Sequence, residues 1–150
     1  MGTSIMITSG KGGTGKTSFT AGTASCLAAL GKRVLCIDLD IGLRNLDIAL
    51  GLNDQALMDF SDVALGYCPL RRAAVDHPTL KGLSLLTAPM HLPAGLSAKD
   101  VAGLLDTART MYDYILIDCM PSLGMMTINA LTCADSVIVP TQADFLSTKG

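Results

Sequence analysis

Glutamate is absent from this chain: all 13 acidic residues are aspartates. Charge of either sign is scarce, at 16% of 150 residues, against about 25% in an average soluble domain. With 11 Lys+Arg the net charge is -2, which excludes a strongly basic, nucleic-acid-coating protein. No apolar run approaches the roughly 18 residues that a membrane-spanning helix needs. Met1-Gly2-Thr3-Ser4 leads straight into strand-like sequence, without the basic and apolar regions of a secretory leader. A cytoplasmic location is therefore expected. The five cysteines (Cys26, Cys36, Cys68, Cys119 and Cys133) are odd in number, have no C-x-x-C spacing and sit in apolar stretches. They read as buried free thiols, which excludes a disulfide frame or zinc cluster. His77 and His91 each neighbour a proline-bearing turn and lack a partner at metal-ligand spacing, so both read as surface or turn residues. What remains, 49% apolar residues in 150, fits one domain able to bury roughly 70% of its unfolded surface.

Short apolar runs alternate with helical patterns. Strands are expected at residues 4–9, 33–38, 83–87, 114–118 and 136–139. Phe19, Thr23, Cys26, Leu27 and Leu30 follow helical spacing, and Gly31 is placed to close that helix. Short helices are expected over 56–65 and 70–75. Ser97 caps a further helix with Val101, Leu104, Leu105, Ala108 and Met111 on its apolar face and Asp100 in its first turn. Residues 125–133 read as helical. This alternation, with unbroken apolar strands, predicts an α/β fold with a mainly parallel sheet covered on both faces by helices.

Between the first strand and first helix, Gly10-Lys11-Gly12-Gly13-Thr14-Gly15-Lys16-Thr17 matches G-x-x-x-x-G-K-[ST] in full. Glycines let successive backbone N–H groups turn toward phosphate oxygens without side chains in the way. The helix behind them presents its positive end. Lys16 supplies a charge to β- and γ-phosphates, and the Thr17 hydroxyl can bind Mg²⁺. The same residues satisfy G-x-G-x-x-G, and Asp38 ends the next strand where a ribose-binding acid of a dinucleotide fold would sit. Lys16-Thr17 decides for the phosphate loop, because a triphosphate with Mg²⁺ needs a lysine and a hydroxyl there and a dinucleotide does not.

Carboxylates stand at two further C-terminal strand ends, where open α/β sheets bind ligands. Asp38-Leu39-Asp40 follows the second strand and Asp118 ends the run Tyr114-Ile115-Leu116-Ile117. Asp38 and Asp118 suit Mg²⁺, directly or through water, and Asp40, two residues into the loop, is placed to orient an attacking water.

With these residues in view, Lys11-Gly12-Gly13-Thr14-Gly15-Lys16-Thr17 resembles the deviant Walker A motif of the MinD/ParA ATPases, marked by a second lysine after the first glycine. The segment from Asp38 through Asp47 (DLDIGLRNLD) is similar to the MinD version, whereas residues 117–134 with Val139-Pro140-Thr141-Gln142 look more like ParA. The resemblance implies the P-loop three-layer fold, with ATP and Mg²⁺ as cofactors, ATP hydrolysis and a homodimer formed on ATP binding. By the same resemblance Lys11 reaches the partner subunit's nucleotide, Lys16 and Asp40 serve catalysis, and Gly10, Gly12, Gly13, Thr14, Gly15, Thr17 and Ser18 cradle the phosphates. Asn45 matches a first-switch position near the phosphates, and Thr17, Asp38 and Asp118 are the metal ligands. An activating partner protein is implied, as is a surface, membrane for MinD or DNA for ParA, bound through segments not present here.

Family domains run about a hundred residues longer, so residues 1–150 are expected to form the first part of such a domain, lacking its last strands. Cys119 beside Asp118 has no C-x-x-C companion, so an iron–sulfur cluster is not expected. Lys32-Arg33 and Arg71-Arg72, the adjacent basic pairs, read as solvated faces, and Met120, Met125 and Met126 as packing residues. The expectation is a MinD-like switch ATPase for septum-site, cell-division or flagellar placement. The alternatives are a ParA-type partition ATPase or a non-hydrolysing nucleotide-binding interaction module.

Overall fold

Among the described residues, six strands form one sheet in the order β3-β4-β2-β5-β1-β6. The structure is a computed structural model that describes residues 1–9, 15–120, 124, 130 and 132–141. The strands are β1 (Thr3–Ile7), β2 (Val34–Asp38), β3 (Val75–Asp76), β4 (Leu83–Leu86), β5 (Tyr114–Asp118) and β6 (Ser136–Ile138). The helices are α1 (Lys16–Ala29), α2 (Asn45–Ala49), α3 (Phe60–Ala64), α4 (Leu70–Ala73) and α5 (Ala98–Met111). Every pairing is parallel except β3 with β4.

The apolar runs explain both layers. Residues of β2 and β4 are buried at every position, and the two-residue period of a strand sends alternate side chains to opposite faces. Met6, Leu35, Ile37, Ile115 and Ile117 enter a core shared with α3, α4 and α5. Ile7, Val34, Cys36, Leu85 and Leu116 enter a second core beneath α1 and α2. Helix α5 forms as expected. Ser97 and Asp100 make a reciprocal capping box, and Val101, Leu104, Leu105 and Ala108 are buried. Gly31, at φ 84°, follows the end of α1 and turns the chain into β2.

Helix α1 packs by a different face from the one its apolar spacing predicts. Phe19, Cys26 and Leu30 are exposed, Leu30 at 75%, while Thr20, Ala21, Ala24 and Ala28 are buried. Small side chains let the helix lie close on the sheet beside α2, and closeness outweighs side-chain size. Three further expectations shift. Residues 56–59 are not helical: the chain there runs beside the end of β4, with Asp59 bridging Thr87, and Asp59 then caps α3 through a capping box with Asp62. The expected helix at 70–75 ends at Ala73, because Val75 and Asp76 pair antiparallel with the free edge of β4. The five-residue α2 has too short an apolar period to read from sequence. All five cysteines are free, as expected, but only Cys36 and Cys119 are buried. Cys26 is exposed, while Cys68 and Cys133 are half-buried. Of the expected helix at 125–133, Ala130, Thr132 and Cys133 are helical; residues 125–129 and 131 lie outside the described residues. So do 10–14, and with them Gly10, Lys11, Gly12, Gly13 and Thr14.

At the N-terminal end of the sheet, Arg109 of α5 ties three elements together. Its Nη2 donates to Ser4 Oγ (2.8 Å) and to the Cys133 carbonyl (2.6 Å), and its Nε lies 3.6 Å from the Asp135 carboxylate. Asp135 in turn accepts from the Ser4 backbone N–H at 2.8 Å, joining β1 to the start of β6. His77 is a turn residue: its Nδ1 accepts from the backbone N–H groups of Thr79 and Leu80, leaving Nε2 to donate to the Leu50 carbonyl at 3.2 Å. Among the described residues no helix is long and apolar enough to cross a membrane.

Candidate functional site

Parallel pairing brings the C-terminal ends of β1, β2 and β5 to one edge of the sheet. Ile7 lies opposite Asp118, and Asp118 opposite Asp38, in register. Two chain crossings tighten this edge: Leu39 N–H donates to the Asp118 carbonyl (2.8 Å) and Cys119 N–H to that of Ile7 (3.0 Å). Helix α1 begins there. Gly15 caps it at φ 82°, in the left-handed region where a side chain would be strained, although a Cβ would meet nothing within 4 Å among the described residues. Backbone conformation is what requires the glycine.

Lys16, the first residue of α1, is 8% exposed, and its ammonium is paired with the Asp118 carboxylate, which is 1% exposed. Thr17 Oγ1 donates to the other oxygen of the same carboxylate at 2.9 Å. One carboxylate thus holds two consecutive side chains of the first turn of α1. No acidic residue stands in that turn, so the positive end of the helix dipole is not offset from within the helix. Ser18, next along α1, is exposed.

Asp38 is 1% exposed, and both its carboxylate oxygens accept from backbone: Oδ1 from Asp40 N–H at 2.8 Å, Oδ2 from Leu46 N–H at 3.3 Å. Burial pushes this carboxyl up to about 7. The two N–H bonds act in the opposite direction, and the neighbouring charges of Asp118 and Asp40 add to the rise. Asp40, 7% exposed, is also raised, chiefly by burial and further by Asp118, with Lys16 acting against the shift. Asp40 therefore lies within electrostatic reach of both members of the Lys16–Asp118 pair. Cys119 is buried beside Asp118, and loss of hydration pushes its thiol up to about 12, which makes it inert as a nucleophile at neutral pH.

The structure thus brings together Lys16, Thr17, Asp38, Asp40 and Asp118, five of the residues singled out from the sequence. Asn45 opens α2 and is exposed. Sequence reasoning missed the part Asp38 plays in shaping the 39–46 loop. Its bond to the amide two residues on is an Asx-type turn, which Asp-x-Asp at a strand end can signal. It also missed Arg44, which adopts φ 52° at the start of α2 with Nη2 3.7 Å from Asp47 and a buried Nε that has no hydrogen-bond partner among the described residues. Nothing in residue identity marks a non-glycine residue for that conformation. Among the described residues, no three His, Cys, Asp or Glu side chains cluster as a metal site. The donors facing one another are a hydroxyl and a carboxylate, Thr17 and Asp118.

Comparison with known proteins gives a consistent picture. A family model described as an AAA domain matches residues 2–150. The septum site-determining protein MinD of Bacillus subtilis is 36% identical over 151 residues, covering 99% of this chain and 56% of that protein. The sporulation initiation inhibitor protein Soj of the same organism is 35% identical, covering 100% of this chain and 62% of that protein. The structure of the MinC:MinD cell division protein complex of Aquifex aeolicus superposes with a TM-score of 0.87 at 35% identity, covering 98% of this chain and 59% of that one. That of MinD from Pyrococcus horikoshii, complexed with Mg-ADP, gives 0.83 at 27% identity, with 99% and 61% covered. The chain spans a little over half the length of the relatives it matches.

Proposed function

Since this chain belongs to the MinD/ParA family of P-loop ATPases, we propose that it binds ATP with Mg²⁺ at the C-terminal edge of its sheet and hydrolyses it. In this reading it acts as a switch that positions cell-division or flagellar machinery in the MinD manner. The observation that carries the reading is the convergence of Lys16 and Thr17, at the positive end of α1, on Asp118, with Asp40 in electrostatic reach. This donor set fits a magnesium triphosphate: an ammonium and a helix terminus for phosphate oxygens, a hydroxyl and a carboxylate for a hard cation. The Mg-ADP of the Pyrococcus MinD structure supports the same ligand class.

When bound, Mg²⁺-ATP supplies the transferable phosphoryl group and a divalent charge that offsets its oxygens. Lys16 then neutralises phosphate charge from a buried position, where an ammonium is worth more than in water. Thr17 and Asp118 would hold the metal, with Asp38, whose oxygens already accept two backbone N–H groups, reaching it through water. Asp38 fixes the 39–46 loop through two backbone bonds and thereby sets where Asp40 points. Asp40 orients the attacking water, and Asn45 borders the phosphates. Gly10, Lys11, Gly12, Gly13, Thr14, Gly15 and Ser18 complete the phosphate cradle. Lys11 reaches the nucleotide of a second subunit, so that ATP holds a homodimer together by linkage. An activating partner protein accelerates turnover, and residues 1–150 are the first part of the domain that does this.

Lys16→Ala should abolish turnover, and Lys11→Ala should abolish ATP-dependent dimerisation while nucleotide binding by the monomer persists. A purified protein that hydrolyses no Mg-ATP, even with its partner and a lipid or DNA surface, would refute the enzyme reading in favour of a non-hydrolysing module. The match to Soj, over the whole chain, favours a second reading as a ParA-type partition ATPase. ATP-dependent cosedimentation with DNA and not with anionic liposomes would select it.

A further inference from the structure

Lys16 and Thr17 are the side chains that a magnesium nucleotide would use, yet both are already bonded to Asp118. The pair is internal: Asp118 is 1% exposed and Lys16 8%, so water does little to weaken their attraction. Among the described residues, no other carboxylate is hydrogen-bonded to Lys16, although Asp40 lies within its field. Both Asp38 oxygens are taken by backbone N–H groups of the 39–46 loop, so Asp38 is not free to replace Asp118 as the partner.

Resting on the nucleotide-binding reading, we propose that Asp118 is a positioning residue that competes with phosphate for Lys16, and that Mg²⁺ relieves this competition. A phosphate oxygen can claim the ammonium only at the expense of the Asp118 carboxylate. A divalent cation drawn to Asp118 and Thr17 satisfies that carboxylate in another way and leaves Lys16 to the phosphates. Metal and nucleotide affinity are then coupled through one ion pair, and the coupling is reciprocal. A carboxylate that served only as a metal ligand would weaken nucleotide binding when removed in the presence of Mg²⁺ and leave it unchanged in its absence. The competing carboxylate does the opposite in the absence of Mg²⁺.

The test is a double-substitution cycle read by fluorescence anisotropy with N-methylanthraniloyl-ADP, in EDTA and in Mg²⁺, on wild type, Asp118→Asn, Lys16→Met and the double variant. In EDTA, Asp118→Asn should bind the probe at least about tenfold more tightly than wild type, the size of a typical coupling between linked sites. The enhancement by Mg²⁺ seen in wild type should be largely lost. On the Lys16→Met background, Asp118→Asn should change affinity less than twofold, because the gain passes through the ammonium. An unchanged affinity of Asp118→Asn in EDTA would overturn the proposal. So would an equal gain on the Lys16→Met background, which would mean simple repulsion between Asp118 and phosphate. Wild type that fails to bind the probe even with Mg²⁺ would instead refute the nucleotide-binding reading, and this inference with it. Should Asp118→Asn not fold, Asp118→Ser removes the same charge with a smaller side chain and is read against the same outcomes.

Discussion

Replacing Asp38 with asparagine should change how stability depends on pH, with a sign that the structure dictates. A carboxyl raised to about 7 by burial holds its proton more tightly in the folded chain than in the unfolded one, where about 3.9 is usual. The contribution is therefore fully present below about pH 4 and is lost as pH rises through about 7. The separation is about three pKa units, each worth 1.36 kcal/mol, so the loss is about 4 kcal/mol between pH 4 and pH 8. Asp38 is 1% exposed, so solvent screening does not reduce this figure much. Urea unfolding in EDTA, at half-unit steps from pH 4 to 8, measures it as the difference in unfolding free energy between wild type and Asp38→Asn. Titrating groups remote from Asp38, including Asp100, Asp113 and Asp135 with their lowered carboxyls, cancel in that difference. Wild type should lose about 4 kcal/mol relative to the variant across the range, whatever the absolute offset caused by an amide facing the Leu46 N–H. A difference flat to within about 1 kcal/mol would refute the assignment of a buried, weakly acidic Asp38.

The Lys16→Met variant leaves Asp118 buried without its ammonium and should cost about 3 kcal/mol even in EDTA. That lowers Tm by about 6–12 °C in differential scanning calorimetry, and the double variant with Asp118→Asn should regain most of it. A shift under about 2 °C would refute the structural role of the pair. On α1, Leu30→Lys should be neutral to within about 0.5 kcal/mol in chemical denaturation, whereas Ala24→Leu should cost about 1–3 kcal/mol by overpacking. The reverse order would mean that the larger side chains face the sheet after all. Arg109→Met removes the donors to Ser4 and the Cys133 carbonyl and should cost about 2 kcal/mol, measured by urea unfolding; an unchanged midpoint would refute the Arg109 tie.

The motif and the positions of five of the strands were legible because local pattern dictates them. A glycine-rich loop followed by Lys16-Thr17, with aspartates closing two apolar runs, places phosphate chemistry at the C-terminal ends of parallel strands in any such sheet. That Asp38 and Asp118 lie side by side in register, and that Lys16 and Thr17 meet on one carboxylate, depends on contacts 80 to 102 residues apart in the chain, which no local period encodes. The face of α1 that meets the sheet was not legible for a related reason. Spacing identifies an apolar stripe, but which stripe meets the sheet is settled by how closely two backbones approach, and small residues win there.

The split between Val75 as strand and Leu70 as helix has the same origin. Helical spacing over six residues is weak, and the open edge of β4 offers Val75 backbone partners that a second helical turn would not. Residue types and their order were enough for the layers, the phosphate loop and the identity of the charged side chains, because turn chemistry and apolar period act over a few residues. Tertiary packing alone assigned the partners: Asp38 to the 39–46 loop, Asp118 to Lys16 and Thr17, and alanines to the sheet, since each depends on which groups lose water together.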